Sequence, residues 1–354
     1  MLKDWRVAIV KPVGNACNLR CKYCFYNGQS QAKSKLMSDE LLERFIIQFL
    51  GLFPGSKSFI WHGGEPTLAG LQFYQRAMVL QEQHRVDDCK VVNYIQTNGT
   101  LINDEWASFF KEHSFKVGVS LDGNRNSHDR FRVDASGDGS FDRVMKGISY
   151  LRKHEVRFGL IMTLTKDNLP DLENNLDFVR TFGVGVATND YDTSSSSVEL
   201  KAQGIDADLA CQVWSRSLDW WLNANDQNLR FREIDNIISG VLGHQPRNCT
   251  YNGTCHHYFC LHNDGEVYPC DRLSWSKANC LGDLNQEGLE EILRGSKASE
   301  HLQRTQKLPS DCQACEHLRV CNNGCTALRS QQTGKYVFCE SRKRAYLNCK
   351  ELMP

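Results

Sequence analysis

Three cysteines stand close enough in sequence to share one inorganic centre: Cys17-Asn-Leu-Arg-Cys21-Lys-Tyr23-Cys24. Three thiolates on a short loop can hold three corners of an iron–sulfur cube, whereas closed clusters take four cysteines. A structural zinc would want a fourth ligand nearby, and no His or Cys follows before His62. Three ligands with the fourth missing point to one iron left open for a substrate. A second, denser group lies far downstream, with Cys312-x2-Cys315-x5-Cys321-x3-Cys325 followed by Cys339. Upstream of it stand Cys249-x5-Cys255 and Gly265-Glu-Val-Tyr-Pro-Cys270-Asp271. That density is ferredoxin-like, and a pair of structural zinc sites is the alternative reading. Of the sixteen cysteines, Cys89, Cys211, Cys260, Cys280 and Cys349 remain and read as small buried hydrophobes. His256 and His257 read as supports rather than ligands, and His62 as a residue that shapes a pocket.

The elements that must position these groups follow from periodicity. Arg6–Val10, Ser58–Trp61, Val91–Thr97, Lys116–Leu121, Arg157–Leu164 and Val184–Thr188 are short, β-branched or aromatic runs and predict strands. Amphipathic stretches alternate with them. One is capped by Ser38 and another by Asn103, and the rest span Leu71–His84, Phe141–His154 and Pro170–Phe182, the last with Asn168 as cap. Six βα units predict an α/β fold with a parallel sheet, a partial (β/α)6 TIM-type barrel whose chemistry sits in the loops after the strands. The Asn189–Gly204 stretch reads as a loop and Asp206–Asn225 and Phe231–Leu242 as bridging helices. The division is therefore 1–240 for the barrel with its bridging helices (206–242) and 241–354 for a cysteine-rich domain. Because that segment is poor in regular pattern, metal ligation is expected to stabilise it.

Composition narrows the function. The 354 residues carry 42 Lys plus Arg and 42 Asp plus Glu, 41% hydrophobic and 24% charged. A null net charge argues against non-specific nucleic-acid binding, which needs a basic excess. The absence of an apolar run near 18 residues argues against a membrane span. With no signal-peptide pattern at its start, the chain is expected in the cytoplasm, where thiols stay reduced.

The triplet with an aromatic before its last cysteine resembles the signature of the radical S-adenosylmethionine (SAM) enzymes, and the resemblance covers essentially the whole chain. It implies a [4Fe–4S] cluster on Cys17, Cys21 and Cys24 whose open iron is chelated by SAM. An electron from that cluster would cleave SAM to a 5′-deoxyadenosyl radical. The motifs after consecutive strands agree: Gly63-Gly64-Glu65-Pro66, Gln96-Thr97-Asn98-Gly99 and Ser120-Leu121-Asp122-Gly123. By resemblance, the Gly63–Gly64–Glu65 turn meets the methionine amino group, Glu65 being able to receive an ammonium. Ser120 and Arg132 would hold the carboxylate, Asp122 would lie near the ribose, and Tyr23, Thr97 and Asn98 would complete the SAM pocket. The downstream array resembles the SPASM extension of peptide-modifying radical enzymes. Carried over by position, a first auxiliary [4Fe–4S] cluster uses Cys249, Cys255, Cys270 and Cys325, and a second uses Cys312, Cys315, Cys321 and Cys339, making three clusters in all.

A substrate radical must still lose an electron and a proton. The auxiliary clusters supply the acceptor, and Asp271 matches the position of the base in anaerobic sulfatase maturases. Two enzyme readings follow: a carbon–carbon (cyclophane-type) cross-link in a ribosomally made precursor peptide, or formylglycine formation from Cys or Ser of a sulfatase. The segment Val184-Gly-Val-Ala-Thr-Asn-Asp-Tyr-Asp-Thr-Ser departs from the maturases and tilts the expectation to the cross-link. A non-enzymatic iron–sulfur electron carrier is the reading from another class. A flavodoxin- or ferredoxin-type protein is the expected reductant. Substrate contacts are expected in the Asn189–Gly204 loop and the Asn248–Cys270 segment.

Overall fold

β1 (Val7–Lys11) buries four of its five residues and lies at the centre of the sheet. A computed structural model describes residues 5–24, 26, 35–86, 88–190 and 203–352. The next strands are β2 (Lys57–Trp61), β3 (Val91–Thr97), β4 (Lys116–Ser120), β5 (Phe158–Leu164) and β6 (Val186–Asp190), each parallel to its neighbour. Helices cross between them: α1 (Asp39–Gly51), α2 (Leu71–His84), α3 (Asp104–Glu112), α4 (Arg125–Phe131), α5 (Phe141–Lys153) and α6 (Leu172–Arg180). α7 (Ala207–Ala224) and α8 (Arg232–Val241) follow.

Local chemistry sets the helix starts. Ser38 accepts from the Leu41 N–H at 3.2 Å and Asn103 from the Trp106 N–H at 3.0 Å, satisfying donors that a first turn leaves free. α1 presents Leu41, Leu42, Phe45, Ile46, Phe49 and Leu50 on one buried stripe, where Phe49 meets Phe59 of β2 edge-on at 5.1 Å. Asn168 stands at the N-cap position of the short turn Leu169–Asp171 that leads into α6, but its side chain caps no N–H there. Its side chain accepts from the Thr165 N–H and donates to the Thr163 carbonyl, closing the loop after β5 instead.

The sheet does not stop at six strands. β7 (Tyr258–His262) pairs in parallel with β1, from Val7 opposite Tyr258 to Lys11 opposite His262. β8 (Glu266–Tyr268) and β9 (Gly282–Asp283) extend it antiparallel to nine strands. The sheet and its core thus run across residues 240 and 241, with Phe259, Leu261, Val267, Leu284, Leu289 and Ile292 packed into the same cluster as Phe45 and Phe59. The cysteine-rich segment is also more regular than its sequence implies. It carries α9 (Leu289–Arg294), α10 (Ser296–Gln306) and α11 (Cys339–Glu351), the last packed against α7 and α8 through Ala345 and Cys349. Among the described residues no helix is long and apolar enough to cross a membrane.

Candidate active site

The loop after β1 carries Cys17, Cys21 and Cys24 and is tied down on both sides. Towards the β2 loop, the Gly64 N–H donates to the Gly14 carbonyl (2.9 Å) and the Glu65 N–H to the Ala16 carbonyl (2.7 Å). Towards the end of α4, the Arg20 N–H donates to the Val133 carbonyl and the Lys22 N–H to the Phe131 carbonyl. The approach explains the glycines: a Cβ at Gly64 would lie 2.0 Å from the Ala16 oxygen, and one at Gly63 would lie 2.6 Å from the Gly14 oxygen. The three thiols lie near enough for their charges to couple. Burial pushes Cys17 up to about 11 and Cys21 up to about 12.

Two buried carboxylates fasten the strand ends around this loop. Glu65 Oε1 accepts from the Thr67 N–H (3.0 Å), the Thr67 hydroxyl (2.6 Å) and the Thr97 hydroxyl (2.7 Å), and Oε2 accepts from the Asn98 N–H (2.7 Å). Asn98 in turn donates to Asn18 in the cysteine loop at 2.8 Å. Asp122 takes the Tyr23 hydroxyl and Arg132 Nε (2.8 Å) on Oδ2, and Arg132 Nη2 (3.0 Å) and the Thr163 N–H (2.8 Å) on Oδ1. The His128 ring accepts the Asp122 N–H, and Ser120 accepts from the Gln96 amide at 3.1 Å.

A third charged group sits under the β2 loop. Lys11 closes β1 fully buried, and its Nζ meets Asp271 Oδ1 at 2.7 Å, the Tyr26 hydroxyl at 2.7 Å and the Ser274 hydroxyl at 2.8 Å. Tyr26 also donates to Asp271 at 3.2 Å. The Asp271 side chain keeps 25% of its surface open, and that of His62, whose Nδ1 lies 4.0 Å from Oδ2, keeps 32%. Burial works against the Asp271 charge, yet the Lys11 ammonium overrides it and holds the carboxyl well below the usual carboxylate range. Burial also lowers His62.

The downstream cysteines gather in two foursomes. Cys249 couples with Cys255 and Cys325, and Cys270 with Cys325 and Cys249; burial raises Cys249, Cys270 and Cys325. Cys312, Cys315, Cys321 and Cys339 line one pocket. Cys260 instead lies under Lys11 and Asp271, Cys280 donates to the Gly282 carbonyl, and Cys89, Cys211 and Cys349 are buried elsewhere. His256 and His257 meet edge-on with ring centroids 4.4 Å apart. Among the described residues no three His, Cys, Asp or Glu side chains converge tightly enough for a single ion. A tetrahedral zinc would draw its sulfurs to roughly 3.8 Å apart. The all-thiol donor sets fit iron–sulfur clusters, which cysteine thiolates hold.

Comparison with known proteins agrees with this donor set. The radical SAM superfamily model matches residues 12–179, and the iron–sulfur cluster-binding SPASM domain model matches residues 249–316. The cysteine-type anaerobic sulfatase-maturating enzyme of Clostridium perfringens is 30% identical over 357 residues, covering 96% of this chain and 94% of that one. The chain belongs to the radical SAM enzymes. The serine-type anaerobic sulfatase-maturating enzyme of Bacteroides thetaiotaomicron is 32% identical, over 92% of this chain and 83% of its own. A solved structure of native anSMEcpe with bound AdoMet and Cp18Cys peptide superposes with a TM-score of 0.85 at 27% identity, covering 98% of this chain and all (100%) of that one. SuiB of Streptococcus suis, bound to precursor peptide SuiA, shares the fold at a TM-score of 0.67 and 15% identity, over 94% of this chain and 75% of its own. As a radical SAM enzyme with a SPASM domain, the protein binds SAM and auxiliary iron–sulfur clusters.

Within this radical SAM site, protein donors hold both carboxylates in place. A carboxylate offers about four lone-pair positions; Asp122 takes two donors on each oxygen, whereas Glu65 takes three on Oε1 and one on Oε2. Glu65 joins the turn after β2 to Thr97 and Asn98. Asp122 pairs with Arg132. Tyr23 bonds to Asp122, so the residues expected around SAM form two connected groups. Lys11 went unread in the sequence, although a lysine ending an otherwise apolar strand was a usable signal. Of the two segments expected to contact substrate, Asn189–Gly204 lies outside the described residues from 191 to 202, its first two residues closing β6, and Asn248–Cys270 is described throughout.

Proposed function

We propose that this radical SAM enzyme converts a cysteine or serine side chain of a sulfatase-type substrate to formylglycine, with Asp271 as the base. The observation that carries the reading is the full-length likeness to both cysteine-type and serine-type sulfatase-maturating enzymes. The cross-link expected from the segment after β6 has no such support. SAM's amino group would fall to the backbone of the Gly63–Gly64 turn and its carboxylate to Ser120 and Arg132. The ligand sets would be those gathered above: Cys17, Cys21 and Cys24 for the SAM-binding cluster, and the two foursomes for the auxiliary clusters.

When bound, SAM and the clusters supply a radical that takes one Cβ hydrogen atom and an acceptor for one electron. The chain's own residues handle the proton. As the electron leaves, the substrate S–H or O–H becomes strongly acidic, so a carboxylate weakened by Lys11 suffices to accept it. Lys11 and Tyr26 hold Asp271 ionised and aimed, and His62 narrows the mouth beside it. A serine then stands as the aldehyde. A cysteine stands as a thioaldehyde, which water converts to the aldehyde with release of H₂S.

The test is a reduced, iron-reconstituted preparation given SAM and a cysteine-containing sulfatase peptide. The expected product carries a hydrazide-reactive aldehyde and has lost its sulfur. A product that loses two hydrogens, keeps its sulfur and has no aldehyde would replace formylglycine with the cross-link.

A further inference from the structure

Arg329 is a partly buried cation whose hydrogen-bond acceptors are neutral carbonyl oxygens. Its Nε donates to the Asn323 carbonyl (3.1 Å). Nη1 donates to the Arg304 (3.1 Å) and Thr305 (3.2 Å) carbonyls, and Nη2 to those of Thr305 (3.2 Å) and Asn322 (3.5 Å). Among the described residues no carboxylate lies within ion-pair distance of it. A guanidinium taken out of water without a counter-charge is costly.

Its anchorage says where the charge belongs. Asn322 and Asn323 lie between Cys321, of one foursome, and Cys325, of the other. The loop that joins the two sites is held in an uncommon shape: Asn322, Asn323 and Gly324 take φ of 48°, 58° and 55° in succession. A Cβ on Gly324 would lie 2.3 Å from the Tyr336 ring, Asn322 Nδ2 donates to the Tyr251 carbonyl, and Asn323 Oδ1 accepts from the Tyr336 N–H. Burial lowers Arg329, and the thiols that act against this are Cys255 and Cys325 from one set and Cys312 and Cys321 from the other. Neutral thiols leave the cation uncompensated, whereas cluster-bound thiolates supply the missing negative charge on both sides.

We propose that Arg329 is a shared positioning residue for the two auxiliary clusters, bracing the Cys321–Cys325 loop and raising both reduction potentials as their common counter-charge. Cluster potentials follow net charge and hydrogen bonding, and a nearby cation stabilises the more negative, reduced state. The inference rests on the ligand sets proposed above. Its use would be to keep both clusters able to accept the electron that leaves the substrate.

The test uses the full chain with Cys17, Cys21 and Cys24 replaced by Ala, so that only auxiliary iron remains, and reads iron content and redox titrations followed by EPR. Two four-iron clusters' worth of iron in this background checks the ligand sets; a background without iron overturns those sets and the inference with them. Adding Arg329→Gln is expected to lower both midpoints, with about a tenfold drop in reduced over oxidised cluster at fixed potential, or about 59 mV. Arg329→Lys, which keeps the charge, is expected to leave both near their starting values. Unmoved potentials in a fully loaded R329Q, or a shift in one cluster alone, would overturn the proposal. If R329Q holds no iron, R329K decides: loading with unmoved potentials supports a charge role, and failure to load or a fall in potential overturns it.

Discussion

At the scale of single residues, the chemistry turns on a carboxylate held by a fully buried ammonium. Asp271→Asn keeps the size of the side chain and removes its ability to take a proton. It is expected to leave 5′-deoxyadenosine formation within a few-fold of wild type while aldehyde falls by at least ~100-fold, the low end of what a positioned base contributes. Chromatography of both products from one reaction measures the split. Lys11→Met strands the Asp271 charge. A fully buried partner would make that loss about 3–5 kcal/mol, but Asp271 is a quarter open, so about 2 kcal/mol is expected in denaturant titration, together with lost aldehyde. The position of Asp271 directly after a cysteine was readable in the sequence. Its charged partner was not, because Lys11 and the nearby Tyr26 come from the opposite end of the chain, which the pairing of β1 with β7 brings alongside.

At the scale of elements, the strands and helices were largely legible: α2 and β3 have the bounds read from the sequence, α2 burying Phe73, Tyr74, Ala77 and Leu80, and β3 being a β-branched and aromatic run that suits a strand. What periodicity could not carry is the strapping of loops. Glu65 and Asp122 each look like ligand-facing acids in a motif, and only the folded chain shows four donors converging on each. The cysteine loop depends on contact with Gly64, where added bulk would collide with backbone rather than with a side chain that can turn away. Gly64→Ala is expected to lose roughly a third of the iron, the share of one cluster in three, and all 5′-deoxyadenosine. Iron and sulfide assays on the purified variant check this, and full iron content would show that the loop tolerates the displacement.

At the scale of the whole molecule, the two halves share one sheet, and both large hydrophobic clusters draw residues from each half, which the weak periodicity of the cysteine-rich segment concealed. Cysteines and short turns dominate that sequence, yet β7 completes the site by placing Cys260 and His262 alongside Lys11. Buried neutral histidines tie stability to pH. Burial lowers His128 and His301 to about 4, so the unfolded chain binds more protons between about pH 6.5 and pH 4. Stability from these groups is present above pH 6.5 and is lost as pH falls through that window, on the order of 3 kcal/mol each if the whole shift is realised. Chemical denaturation of the protein at pH 7.5 and pH 5 should show the decline, and equal midpoints would contradict it.

The most direct measurement follows the hydrogen atom itself. A sulfatase peptide carrying cysteine deuterated at Cβ is given to the reduced, reconstituted enzyme with SAM, and both products are weighed by mass spectrometry. The expected result is 5′-deoxyadenosine heavier by one deuterium, formed in step with a peptide aldehyde that keeps the other. Unlabelled 5′-deoxyadenosine, or none at all, would show that the cysteine Cβ is not where this enzyme takes its hydrogen.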